Sequence, residues 1–189
     1  LGNEQCVCGE LTVDYCALSA EAVDHVYRQF PHLRIVFVLR NPVDRAWSQA
    51  KKLAPKLLDK PLAELTDNDL LRYLEHPAAR ERGDYPRALR HWETRFGAAQ
   101  LFVGFYDELV AAPARFLRSI EDFLGVPGRD LDSATKLAVP VNASPSATRV
   151  RMPVAIRQAL IDLYRDDVAA LAARFGGYAA EWQRDFEQR

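Results

Sequence analysis

The chain has 189 residues, 49% of them hydrophobic and 27% charged, which is enough for one globular domain with its own core. Its formal net charge of −1 argues against the broadly basic surface that binds nucleic acid or a highly sulfated polymer. No run of about 18 apolar residues occurs, so the sequence predicts no membrane-spanning helix within these residues.

The first part of the chain alternates strand and helix signals, as an α/β fold does. The sequence predicts a strand from Cys6 to Val13, after which Ser19 caps a helix that Pro31 stops. Residues 35–39 are all apolar, mostly β-branched or aromatic, and bounded by charge. This run predicts a strand that is buried on both faces of a parallel sheet.

The rest of the chain shows mostly helical periodicity with one more strand. The predicted elements are a helix from Pro42 limited by Pro55, a polar stretch with one short helix between Pro61 and Gly83, a helix from Pro86 that ends at Gly97, a strand from Leu101 to Tyr106, a helix from Pro113 to Leu124, and a helix from Val154 to Phe175. We therefore expect an α/β fold with a mainly parallel central sheet.

Three cysteines, Cys6, Cys8 and Cys16, cluster near the start of the chain. Cys6 and Cys8 are separated by one residue, whereas a zinc or redox pair has two residues between its thiols. The four histidines show no metal-ligand spacing either, so we predict no metal site. The odd, clustered thiols favour buried, reduced cysteines in a cytoplasmic protein; the lumen of the secretory pathway is the alternative if an amino-terminal anchor has been removed.

The most informative segment follows the strand at residues 35–39 directly and reads RNPVDRAWS over residues 40–48. Asn41 is a good N-cap and Pro42 suits the first helical position, so the chain turns from strand into helix at this point. Arg40 then lies at the carboxyl edge of the sheet, which is where open α/β folds bind ligands.

A guanidinium at that edge, beside the amides of a helix start, offers planar hydrogen-bond donors to a phosphate or sulfate group. Ser48 adds a hydroxyl roughly 9 Å along the helix from Pro42. The predicted anion lies beside the first two helical turns, on the face that Arg45 and Ser48 share. A plain strand-turn-helix boundary with solvated arginines is the alternative interpretation.

The pattern Arg-x-Pro-x-x-Arg-x-x-Ser after a hydrophobic strand resembles the 3′-phosphate-binding element of sulfotransferases that use 3′-phosphoadenosine 5′-phosphosulfate (PAPS). Three further stretches agree with this family in order and spacing. Residues 9–15 resemble the Gly-Glu-x-Thr-Pro-x-Tyr strand of the heparan-type and bacterial branches, with Val13 in place of the proline. Residues 101–127 resemble a later strand and the helix that ends in Phe-Leu-Gly, and residues 141–151 resemble the loop that closes over the nucleotide.

The resemblance implies a three-layer, P-loop-like α/β fold, with residues 1–189 as the carboxyl-terminal portion of a single sulfotransferase domain. It implies that Arg40 and Ser48 bind the 3′-phosphate of PAPS and that Arg149 and Arg151 are further candidates for contact with the nucleotide. The family binds the 5′-phosphosulfate with a Lys-x-Gly-Thr-Thr loop, which does not occur in these residues. We expect that loop and the general base to lie upstream, and the 189 residues alone to be inactive.

The function implied by the resemblance is transfer of a sulfuryl group from PAPS to a hydroxyl or an amine, with adenosine 3′,5′-bisphosphate (PAP) as the product and no metal. A small alcohol, a saccharide or a carrier-tethered hydroxyacyl group is an acceptor consistent with the near-neutral charge, and nucleic acid is not an expected partner. Two alternatives remain: a non-catalytic nucleotide-binding or interaction module that kept the fold, and another nucleotide-dependent transferase of related fold.

Overall fold

The computed structural model describes residues 7–127 and 150–188. Its helices and strands are α1 (Ala20–Gln29), β1 (Ile35–Leu39), α2 (Pro42–Leu57), α3 (Asp67–Glu75), α4 (Pro77–Glu81), α5 (Tyr85–Phe96), β2 (Leu101–Phe105), α6 (Tyr106–Ala111), α7 (Pro113–Leu124), α8 (Val154–Phe175) and α9 (Gly177–Glu187). Short 3-10 turns cover Val13–Ala17, Leu62–Glu64 and Ala98–Gln100.

These elements fall into two compact units. The first unit consists of Leu1–Leu39 and His91–Arg149, and the second consists of Arg40–Arg90 and Val150–Arg189. That residues 1–189 belong to a single domain stays a prediction.

The first unit is built on a parallel pair of strands. β1 and β2 pair in register from Ile35 opposite Leu101 to Leu39 opposite Phe105. Parallel strands cannot be joined by a tight turn, so a long helical connection must separate β1 from β2. The expected parallel sheet and the predicted strands at 35–39 and 101–106 are confirmed, except that Tyr106 already begins a helix.

Helices cover this sheet from both sides. On one face, Val23 of α1 packs with Trp92 and Phe96 of α5, and Ile35 and Phe37 of β1 lie against that cluster. On the other face, the ring of Phe102 lies edge-on to the ring of Phe116 and at a tilt to the ring of Phe123, and both of these residues belong to α7. The first unit therefore has the helix, sheet and helix layers of a three-layer α/β fold.

The strand predicted from Cys6 to Val13 is wrong where the structure describes it. Residues 7–12 have no regular secondary structure, and Val13 begins a 3-10 turn. Leu11 is 97% exposed. A strand needs a neighbour to take up its backbone hydrogen bonds, and no described strand pairs with this segment.

The burial predicted for the cysteines and for β1 is also wrong in part. Cys6 lies outside the described residues, whereas Cys8 is exposed and Cys16 is half-buried, both as free thiols. On β1, Val36 and Val38 are 37% and 42% exposed, because α7 packs over β2 on that face of the sheet. An apolar run therefore indicated the strand without indicating how much of each face is covered.

The second unit is helical. α2 buries a stripe at helical spacing, and α8 buries a second stripe that packs against α2, α3 and α9. The buried residues of these two stripes are Val43, Ala46, Trp47, Ala50 and Ala54 on α2, and Ile156, Leu160, Ile161, Tyr164, Val168 and Leu171 on α8. The long helix at residues 154–175 is confirmed with its predicted bounds.

Some of the helices differ from the sequence-based expectation. Pro55 does not end α2, which continues for two more residues to Leu57. Helix α4 divides the polar stretch before Gly83, so that stretch holds two helices rather than one. After α8 ends, α9 forms and buries residues at helical spacing, namely Ala179, Trp182 and Phe186.

Gly104 offers a test of the packing between β2 and α7. A Cβ added at this position would lie 2.5 Å from Cε2 of the Phe116 ring, which is buried. We expect Gly104→Ala to lower the free energy of unfolding by about 1–3 kcal/mol, the usual cost of overpacking a core. Urea denaturation followed by tryptophan fluorescence measures this change.

The matched control is Gly9→Ala, because no atom lies within 4 Å of a Cβ at that position. This variant is expected to stay within about 0.5 kcal/mol of the unmodified protein. Equal stability of the two variants would contradict the packing described for Gly104.

Candidate functional site

The chain passes from β1 into α2 within two residues. Leu39 ends the strand as a buried residue, and Pro42 occupies the first helical position. The Oδ1 atom of Asn41 accepts a hydrogen bond of 3.0 Å from the backbone N–H of Val43. The predicted cap is confirmed, and Arg40 is therefore fixed at the carboxyl end of a parallel strand.

A buried tyrosine also holds the backbone of Arg40. The Arg40 N–H donates to the hydroxyl of Tyr85 across 3.5 Å, and Tyr85 is buried at the start of α5. Arg40 itself is half-buried. The backbone position from which its side chain starts is thus set by the strand on one side, the cap on the other and a tyrosine hydroxyl.

Ser48 is exposed on α2, seven residues after Asn41. Seven residues make about two helical turns, so Ser48 lies on the same face of the helix as the capping residue. The side chain of Ser48 is therefore open to solvent.

Arg45 does not share this exposure, contrary to the prediction that it faces the anion beside Ser48. Its Nη1 donates to Oε1 of Gln49 at 2.7 Å, and its Nη2 donates to the backbone oxygen of Ala79 at 3.4 Å and to the hydroxyl of Tyr164 at 3.3 Å. A spacing of three residues places two side chains near each other on a helix, but long side chains can leave in different directions.

Comparison of the chain with known protein families identifies the family to which it belongs. Residues 6–130 match the model of the sulfotransferase family, which is more than half of the chain. The chain belongs to the sulfotransferase family. No curated protein matches the chain.

A solved structure agrees with this assignment at the level of the fold. The chain is similar to a sulfotransferase from Alicyclobacillus acidocaldarius, whose crystal structure it matches with a TM-score of 0.63 and 23% sequence identity. The match covers 91% of this chain and 66% of that chain, so the chain spans less than two thirds of the length of that sulfotransferase. The expected α/β, P-loop-like fold class is confirmed.

The residues predicted to bind the nucleotide divide into two groups. Arg40 and Ser48 lie inside the residues matched by the family model, at the junction of β1 and α2. Arg149 and Arg151 lie beyond the matched residues; Arg149 is outside the described residues and Arg151 is exposed. The structure thus describes the surroundings of the first pair, while a nucleotide contact for Arg149 or Arg151 stays a prediction.

The sequence did not predict the two tyrosines that contact residues 40–48. Tyr85 and Tyr164 sit among apolar residues at helical spacing, and this pattern predicts only that they are buried. Nothing in the sequence connects either hydroxyl to residues that are 45 and 119 positions away. Only the packing of α5 and α8 in the second unit establishes these contacts.

The described residues contain neither a cluster of metal ligands nor a bilayer-spanning helix. Within residues 7–127 and 150–188, no group of three or more His, Cys, Asp or Glu side chains is arranged to hold a metal ion. His91 uses its Nδ1 in a contact of 3.1 Å with the backbone oxygen of Leu18. Over the same described ranges, no helix has both the length and the apolar character needed to cross a bilayer.

Asp167 lies one turn beyond Tyr164 on α8, and its pKa is raised. Desolvation by burial is the largest cause, and the negative charges of Asp84 and Asp166 add to it, while Arg80 and Arg90 act in the opposite direction. A buried carboxyl favours its neutral form because the ionised form loses its hydration. The half-buried Asp167 carboxylate is therefore unfavourable at neutral pH.

Replacing this carboxyl with an amide tests that conclusion. The pKa of Asp167 is higher in the folded protein than in the unfolded chain, so the fold favours the neutral carboxyl. The stability associated with this preference is fully present below the unfolded pKa, and it is lost as the pH rises through the folded pKa and the carboxyl ionises. We expect Asp167→Asn to increase stability at neutral pH, and the increase to vanish at about pH 3, where the carboxyl is protonated in both states. Urea midpoints at the two pH values measure this.

The adjacent exposed Asp166 provides the control, because Asp166→Asn removes the same charge from the same helix without removing a half-buried carboxylate. A stability gain for Asp167→Asn that persists unchanged in acid would contradict the assigned cause.

Proposed function

We propose that this chain binds the 3′-phosphate of PAPS in a sulfotransferase that transfers a sulfuryl group to a hydroxyl or an amine. The observation that supports the proposal best is the position of Arg40. It follows a parallel strand directly, precedes a capped helix, and lies within the residues matched by the sulfotransferase family. The resemblance of residues 40–48 to the 3′-phosphate element then supplies the ligand.

The chemistry of the two side chains suits this ligand. A 3′-phosphate is a dianion with three oxygens, and the Arg40 guanidinium can donate two parallel hydrogen bonds to it. The exposed Ser48 hydroxyl adds a neutral donor from the next turns of α2. The amino-terminal end of α2 contributes the positive end of the helix dipole to the same region.

Holding this phosphate contributes to transfer by orienting the donor. In sulfuryl transfer, the acceptor oxygen or nitrogen forms a bond to sulfur while the bond from sulfur to the bridging phosphate oxygen breaks, PAP leaves, and the acceptor proton passes to a base. A 3′-phosphate fixed by Arg40 and Ser48 prevents rotation of the nucleotide, which lowers the entropy cost of an in-line approach. The residues that act on the sulfuryl group itself remain unassigned.

The acceptor and the location belong to the proposal as well. We propose a small alcohol, a saccharide or a carrier-tethered hydroxyacyl group as the acceptor, because the net charge of −1 does not favour a highly charged polymer. Nucleic acid is excluded from the proposal on the same ground. A cytoplasmic location stays a prediction.

Binding of PAP against AMP tests the proposal, because the two nucleotides differ by the 3′-phosphate. We expect the unmodified protein to bind PAP more tightly than AMP. We expect Arg40→Ala to weaken PAP binding by about 10- to 150-fold, the equivalent of losing a charge-assisted hydrogen bond worth about 1.5–3 kcal/mol, and Ser48→Ala to weaken it about fivefold. Isothermal titration calorimetry measures both nucleotides with each variant.

Arg165→Ala is the matched control, because Arg165 belongs to the same unit and its guanidinium pairs with Asp162 on the surface. This variant is expected to keep the affinity for both nucleotides. Equal affinity of the unmodified protein for PAP and AMP would overturn the proposal in favour of another nucleotide-dependent transferase. Failure to bind either nucleotide would favour an interaction module.

A rate measurement tests the part of the donor site that these residues do not contain. No Lys-x-Gly-Thr-Thr loop occurs in the 189 residues, so no lysine and run of backbone amides of that type is present to neutralise the sulfuryl-bearing end of PAPS. We expect a polypeptide of these 189 residues to bind PAP without transferring sulfate from PAPS. Radiolabelled transfer to a panel of alcohols and amines checks this, and normal turnover would refute it.

A further inference from the structure

The second arginine of the motif has a set of contacts that differs from those expected of a phosphate ligand. Arg45 uses both N–H groups of Nη2 within its own unit, one toward the backbone oxygen of Ala79 and one toward the hydroxyl of Tyr164. A third donor, on Nη1, is held by Gln49 on the next turn of α2. These contacts join α2 to α8 and to α4.

The partners of Arg45 are neutral. A carbonyl, an amide and a phenol accept its hydrogen bonds, and Arg45 forms no ion pair with a carboxylate of the described residues. A carboxylate would attract any nearby cation whatever its shape. Neutral acceptors form hydrogen bonds only when each N–H of the guanidinium points at them, so the orientation of the Arg45 side chain matters more than its charge. The planar fork of arginine is required, because two nitrogens must reach three acceptors at once.

Tyr164 cannot easily change its position. Its ring is among the largest fully buried side chains, and a Cβ at Gly83 would lie 2.6 Å from its hydroxyl oxygen. The absence of a side chain at Gly83 is therefore what makes room for this hydroxyl. Burial raises the pKa of Tyr164, so the hydroxyl stays protonated and neutral while it accepts from Arg45.

We infer that Arg45 and Tyr164 are positioning residues for the 3′-phosphate site, and that they hold α2 in the orientation in which Arg40 and Ser48 meet the same phosphate. The inference rests on the proposed function and extends it to two residues that do not touch the nucleotide. Arg45 lies between Arg40 and Ser48 in sequence, so a tilt of α2 at Arg45 changes the distance between the two ligands. A buried tyrosine of α8 thereby determines the geometry of a site carried by α2.

A comparison of PAP and AMP affinities distinguishes positioning from simple stabilisation. Tyr164→Phe removes only the hydroxyl, and we expect it to weaken PAP binding about five- to tenfold while AMP binding changes less than about twofold. Arg45→Lys keeps the charge but loses the fork, and we expect the same selective loss. Hydrogen exchange of the amides in residues 43–49, measured on the nucleotide-free protein, is expected to become faster in both variants.

Tyr27→Phe is the matched control, because it removes the hydroxyl of a half-buried tyrosine whose ring packs on Phe96 in the first unit. It is expected to leave the ratio of PAP to AMP affinity unchanged. The double variant Arg45→Lys with Tyr164→Phe is expected to lose no more PAP affinity than Arg45→Lys alone, since Arg45→Lys already disrupts the contact with Tyr164.

The outcomes separate this inference from the proposed function. Preference for PAP in the unmodified protein, together with an unchanged ratio in Tyr164→Phe, overturns the inference alone. An unchanged ratio in Arg45→Lys shows that Arg45 acts only through its charge and also overturns the inference. If the unmodified protein does not prefer PAP over AMP, the proposed function falls, and the inference that rests on it falls too.

Discussion

The candidate site depends on a change from strand to helix that takes only two residues. The Asn41 side chain caps α2 as soon as β1 has ended, and Pro42 supplies a φ angle that already suits a helix. A longer connection would let Arg40 leave the edge of the sheet. The strand before Arg40 is hydrogen-bonded to β2, and the helix after it is capped by Asn41.

Buried tyrosine hydroxyls provide the next level of order. A hydroxyl that is removed from water needs a hydrogen-bond partner, since an unsatisfied polar group in the interior costs free energy. Tyr85 meets this requirement at the backbone of Arg40, and Tyr164 meets it at the guanidinium of Arg45. The hydrogen bonds that give these buried hydroxyls a partner therefore also hold Arg40 and Arg45 of the motif at residues 40–48.

The two arginines of this motif illustrate how one sequence pattern can assign different tasks to the same residue type. Arg40 is half-buried at the end of a strand, where a ligand can approach an α/β sheet. Arg45 is one and a half turns further along and donates into its own unit. The family match includes both arginines, but it does not by itself distinguish a residue that binds the phosphate from one that supports the helix.

The sequence alone determined the local features of this protein. The apolar run of β1, the cap at Asn41, and the helices α1, α7 and α8 follow from signals within a few residues of each element, and the order of its motifs was enough to indicate the sulfotransferase family. These features depend on backbone hydrogen bonds and helical spacing, which are local properties of the chain.

The tertiary structure alone decided which faces are covered and which donors are used. The strand predicted from Cys6 to Val13 has no partner among the described strands and is not formed where the structure describes it. One face of β1 is half-exposed. Both results depend on which distant elements pack beside a segment, and the segment's own sequence does not specify them. The direction of the Arg45 side chain depends on Tyr164, which is 119 residues away in sequence. Spacing within a helix cannot encode a contact with a residue on another helix, so only the packing of α2 against α8 reveals it.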